Sequence, residues 1–233
     1  MNWVAITCLA VLVVLGLVGL KLGVVKMLYH LVAFALALVL TAVIAPIVSD
    51  AVIKEDSAAV EKVKEKVVKT LKLDEIKFDA TISDDILEKL NLPESIREEI
   101  KTFNTKEDYK TIGADDAKDY LSTTMAVIVM QAAVYLIVFL IMWLIVFLVF
   151  HAANLIDKLP GLHAINRLAG LCVGLILAAC IILVFFVAVT ALSNLPAGQE
   201  MLKCIEENSI LKFWYDNNPL NGGFVYLSSK FKK

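Results

Sequence analysis

Charge is missing from long parts of this 233-residue chain. Residues 1–20, 27–49, 120–156 and 168–199 contain no Asp, Glu, Lys or Arg. Without interior carboxylates or amines, these segments lack the groups that proton relays, voltage sensors and many ion-coupled carriers use. A basic excess is missing too, with 22 Lys plus Arg against 24 Asp plus Glu, which speaks against a nucleic-acid partner. The four cysteines, Cys8, Cys172, Cys180 and Cys204, show no CxxC spacing, so neither a disulfide framework nor a zinc site is indicated. His30, His151 and His163 show no HxxxH spacing and read as interfacial polar residues rather than metal ligands. There is no Gly-rich phosphate loop, no HExxH and no Ser/His/Asp arrangement, so the chain reads as a non-enzyme with no cofactor.

What is present is apolar. The hydrophobic fraction is 59%, where a soluble domain has about 45–50%. Crossing a hydrocarbon core of about 30 Å takes roughly 20 helical residues. The four charge-free stretches therefore predict spans at about 3–20, 27–48, 122–150 and 168–192. The lipid bilayer is the first partner implied. A cleaved leader is not expected, because Met1-Asn2-Trp3 has no basic residue and no small-x-small site precedes Lys21.

The predicted fold is an all-α membrane protein with four transmembrane helices in two tight hairpins. A first hairpin covers 1–49 and a second 120–192. Between them lies an insert, 50–119, with 19 acidic and 13 basic residues, a net charge of −6. Val60, Val63, Val67 and Leu71 repeat at helical spacing there. Ser83 reads as an N-cap and Pro93 as the first residue of a helix carrying Ile96, Ile100 and Phe103. The insert alone has too few apolar residues for a large core, so it is expected to stack on itself or lie on the bilayer. The tail, 193–233, opens on a Leu195-Pro196-Ala197-Gly198 break. Its cluster of Ile210, Leu211, Phe213, Trp214 and Tyr215 suits the headgroup zone, and Lys230, Lys232 and Lys233 suit anionic lipid.

Small residues at i, i+4 spacing mark helix-packing surfaces: Gly19 and Gly23 on the first span, then Gly170, Gly174 and Ala178 on the fourth. Lys21, Lys26, Lys158 and Arg167 put basic residues at both hairpin turns. By the positive-inside rule the turns face the cytoplasm, and the termini and insert face out. Arg167 reads either as an interface anchor or as a pairing residue, with Asp157 as the nearest partner in sequence.

Three segments carry a resemblance. The first is Gly19-Leu20-Lys21-Leu22-Gly23-Val24-Val25-Lys26. The second runs from Leu159-Pro160-Gly161 through His163, Asn166 and Arg167 to Gly170 and Gly174. The third, Ser209 to Leu220, includes Trp214, Tyr215, Asn218 and Pro219. Together they resemble the colicin V production protein (CvpA) family in its longer, insert-bearing members. Leu177 and Ala178 depart from the family, which often has a basic residue and a Gly there. The resemblance implies a bacterial cytoplasmic-membrane accessory or scaffold protein. Its work would be supporting toxin production and secretion or envelope homeostasis through membrane-protein partners or self-association. The alternative is an oligomeric small-solute channel or passive transporter, with Gln131 among the residues facing a shared lumen.

Overall fold

The computed structural model describes residues 2–53, 57–79, 81–90, 92–152 and 164–224. Among them the chain is all-α. The second turn, with Asp157, Lys158, Leu159, Pro160, Gly161 and His163, lies outside the described residues, as do Lys230, Lys232 and Lys233.

Among the described residues, four helices are long and apolar enough to cross a membrane. They are α1 (Trp3–Leu22), α2 (Val24–Val52), α7 (Ala117–Ala152) and α8 (Ala164–Ala191). The insert carries α3 (Ala58–Thr70), α4 (Asp84–Lys89), α5 (Glu94–Thr102) and α6 (Lys106–Thr111). The tail carries α9 (Pro196–Glu206) and α10 (Ser209–Asp216), then a 3-10 turn, Pro219–Phe224. The protein is thus a multi-span, all-α membrane protein. Pro196 starts α9 rather than breaking the chain, because a helix's first residue needs no N–H partner. Pro93 takes the N-cap position of α5, one residue earlier than the sequence suggests.

Contacts divide the chain into two compact units. The first comprises 1–47 and 135–185, the second 48–134 and 186–233. The first unit is held by two kinds of helix pair. Aromatic rings join α2 to α7: Phe34 meets Phe139 at 5.3 Å and Tyr29 meets Phe150 at 5.1 Å between centroids. Glycines join α1 to α8, as described below. The outward side chains are large and apolar, including Leu9, Val13, Leu17, Val39, Val43, Ile141 and Leu148. Such a surface is stable only where the surrounding medium is itself apolar.

The second unit has a core of its own. Val60, Val67, Leu73, Ile86, Leu87, Leu92, Ile96 and Ile100 pack with Tyr120, Leu121 and Met125 to Ile128 of α7. The insert is therefore not short of apolar partners. Residues that read as the start of a membrane span supply them, and Ser122, Thr123 and Thr124 are buried with them. Local devices order the short helices. Ser57 Oγ accepts from the Val60 N–H at the start of α3. At α6, Thr105 and Asp108 form a reciprocal capping box. The Asn104 side chain accepts from the Ile82 N–H at 3.0 Å and donates to its carbonyl at 2.7 Å. That pair of hydrogen bonds ties the segment before α4 to the turn before α6.

Ile100 is fully buried. Ile100→Ala is expected to cost about 2–5 kcal/mol of the second unit's stability. Hydrogen exchange should show α3 to α6 losing protection while α1 keeps its own.

Candidate functional site

Gly23 alone separates α1 from α2. It has φ 80° and ψ 167°, a region open essentially to glycine. Its N–H donates to the Gly19 carbonyl at 2.9 Å, closing α1, and its carbonyl accepts from Met27 at 3.0 Å, opening α2. The six-residue connection expected between Lys21 and Lys26 is thus one residue, and both lysines sit on helices. This reversal needs a cap for α2, and α8 supplies it. Asn166 Oδ1 accepts from the Val24 N–H at 2.9 Å. The first backbone donors of a helix have no partner within it, so this bond satisfies one of them.

The glycines allow α8 to approach. A Cβ on Gly19 would fall within 2.8 Å of the Gly170 carbonyl carbon and 3.3 Å of the Gly174 Cα. On Gly170 it would reach the Gly19 carbonyl oxygen and the Gly23 backbone; on Gly174, the Leu15 carbonyl. Backbone therefore meets backbone along α1 and α8, with no room for side chains between them. Ala178, also on α8, is fully buried. Lys21 and Arg167 are exposed and Lys26 is half-buried. Asp157, the suggested partner of Arg167, lies outside the described residues.

No family model, no curated protein and no solved structure matches this chain. What the chain can do has to be read from its own geometry.

The tail residues are divided between buried and exposed positions. α10 turns Leu211 and Tyr215 inward and Ile210, Phe213 and Trp214 outward. The aromatic cluster is thus split, with Trp214 presented outward and Tyr215 enclosed. The Thr190 hydroxyl donates to the Phe186 carbonyl at 3.2 Å, so the Tyr215 O–H donates to Thr190 Oγ1 at 3.1 Å. Phe186 meets the Tyr215 ring edge-on at 5.7 Å. Burial pushes the Tyr215 phenol above its ordinary pKa, keeping it a neutral donor. Asn218 Oδ1 accepts from the Leu220 N–H, and Asn221 Nδ2 donates to the Tyr215 carbonyl. Asn218 is therefore buried as a turn-former, while Pro219 is exposed.

One cluster was not foreseen from the sequence. Asp216 Oδ1 accepts from the Glu94 N–H at 3.2 Å and lies 3.9 Å from Arg97 Nη2. Arg97 also donates to the Leu92 carbonyl at 3.2 Å. Thr70 Oγ1 donates to the Asn194 carbonyl at 3.0 Å. The contacts of Asp216 with Glu94 and Arg97, and of Thr70 with Asn194, fasten the insert to the tail through partners more than a hundred residues apart. No local spacing could announce them. Among the described residues, no group of three or more His, Cys, Asp or Glu is placed to hold a metal ion.

Two measurements check this geometry. Gly170→Val should cost about 1–3 kcal/mol or more, because a branched side chain must separate two backbones. Asn166→Ala should cost about 1 kcal/mol, through the lost cap. Denaturant unfolding in micelles reads both, with Val39→Ala on the outward face as the unchanged control.

Asp216 gives a pH test. Burial raises its pKa, against the opposing pull of Arg97, the Glu94 N–H and Lys212, while Glu206 adds to the rise. A folded-state pKa above the unfolded value means stability present at low pH and lost as pH rises through the folded pKa. Wild type should therefore gain on Asp216→Asn as pH falls through the carboxylate range. Protection of α10 from hydrogen exchange, compared at pH 4 and pH 7, measures the difference.

Proposed function

We propose that this chain is a membrane accessory protein of the colicin V production type, working in a bacterial cytoplasmic membrane by holding protein partners rather than by chemistry. The observation that carries the reading is the second unit. The insert and tail form one folded body, cored by Leu87, Leu92, Ile96, Ile100, Tyr120 and Leu121 and clasped at Asp216. A loop that merely linked two spans would not need that core.

The resemblance at Gly19–Lys26, Asn166–Gly174 and Trp214–Pro219 supports the family. The close approach of α1 and α8 gives those glycines and Asn166 a physical purpose. A docking protein, on this reading, meets exposed carboxylates of the insert, such as Glu88 and Glu107. On this reading the hairpin turns face the cytoplasm, and the insert and termini face out.

The channel alternative would place Gln131 at a shared lumen. Its Oε1 is enclosed within the chain, with no hydrogen-bond partner among the described residues, so that reading requires the amide to turn outward on assembly.

Liposomes and affinity capture separate the two. The accessory reading expects a stoichiometric membrane-protein partner, released when insert charges are reversed, and no solute flux. Reproducible conductance from the purified chain, lost in Gln131→Leu, would sink it.

A further inference from the structure

Only one face of α10 is covered. Leu211 and Tyr215 turn inward, while Ile210, Phe213 and Trp214 stand outward at i, i+3 and i+4, in one stripe. Ile210 is 72% exposed and Phe213 64%. The charges of α10 are already engaged: Lys212 pairs with Glu206 of α9, and Asp216 with Arg97 of α5. The outward stripe is therefore apolar and carries no charge of its own.

The depth of that stripe follows from α8. Arg167 stands near the head of α8, and Leu168 beside it is 65% exposed. Crossing the hydrocarbon core takes about 20 helical residues, which counted from Leu168 end near Val187. Tyr215 touches α8 on both sides of that point. Its ring meets Phe186 at 5.7 Å, and its hydroxyl lies 3.1 Å from Thr190 Oγ1. α10 is thereby pinned where α8 leaves the hydrocarbon. Even at the about 150–250 Å² that an aromatic side chain buries, three side chains fall below the roughly 800 Å² per partner of a stable protein interface. A bilayer boundary sets no such minimum for a helix already tethered to a span. It also suits Trp, whose apolar ring carries one N–H for water or a headgroup oxygen.

We propose that α10 lies in the headgroup boundary of the bilayer, with Ile210, Phe213 and Trp214 inserted among the upper acyl chains. Of the five-residue cluster, these three meet lipid, while Leu211 and Tyr215 hold the helix at its depth. Such an anchor serves an accessory protein and a channel alike, in either orientation.

The test is depth-dependent quenching of Trp214 in the full-length chain, reconstituted in phosphatidylcholine vesicles. Trp3→Phe and Trp143→Phe remove the other tryptophans. Lipid brominated near the glycerol end of its chains should quench strongly. Lipid brominated near the chain ends, and aqueous acrylamide, should each quench weakly. Ile210→Asp with Phe213→Asp should lift Trp214 toward water, so that bromolipid quenching is lost and acrylamide quenching rises. If the tryptophan replacements prevent folding, as judged by circular dichroism, the wild-type chain is photolabelled instead. The probe is phosphatidylcholine with a diazirine near the glycerol end, and the label is expected on Ile210, Phe213 and Trp214. Quenching by acrylamide alone would place the stripe in water. Quenching by neither agent would place it against protein, a second copy included. Either result overturns the proposal, as do quenching strongest from the chain ends, a signal unchanged by the two aspartates, and a label absent from α10.

Discussion

Backbone lies against backbone where α1 meets α8, and the first unit depends on that approach. Hydrophobicity does not drive it, because lipid tails satisfy apolar side chains as well as another helix does. Dispersion between closely packed backbones and the hydrogen bond from Val24 to Asn166 do. The two are linked by register. Gly170 is one helical turn from Asn166, so the glycine contact brings the amide to the head of α2. There Gly23 has already reversed the chain in a conformation that excludes side chains. A larger residue at Gly19 or Gly170 would separate the helices and withdraw the cap together. Helix approach and chain reversal thus share one set of small residues.

The spans were legible in the sequence because lipid excludes charge. The α-helical insert was legible too, from Val60, Val67, Ile96 and Ile100 at helical spacing. Pairing was not. Gly19 and Gly170 each stand in an i, i+4 series, but nothing local says that the first span packs on the fourth. Asn166 and Val24 lie far apart in sequence, as do Asp216 and Glu94. The two faces of α10 were equally obscure. Ile210, Leu211, Phe213, Trp214 and Tyr215 are all apolar or aromatic, so periodicity cannot say which turn inward. Contact with Phe186 and Thr190 decides it for Tyr215.

The insert's core exposes a more general ambiguity. Residues 120–128 carry no charge, which by composition alone marks them as lipid-facing. They are instead buried against Leu87, Leu92, Ile96 and Ile100. A hydrocarbon core and a protein core impose the same demand on side chains, namely the absence of unpaired charge. Composition therefore cannot tell them apart. The useful difference is in the pattern of outward residues. From Ile137 to Val149, α7 presents large apolar groups outward, as a lipid-facing helix must. From Tyr120 to Val129 it presents none, since those side chains are enclosed. One continuous helix is thus governed by two environments, and its length of 36 residues exceeds the roughly 20 that crossing a bilayer requires. The surplus is what gives the insert a core, and it explains how a sequence with net charge −6 and few apolar residues folds as a body rather than remaining a solvated linker.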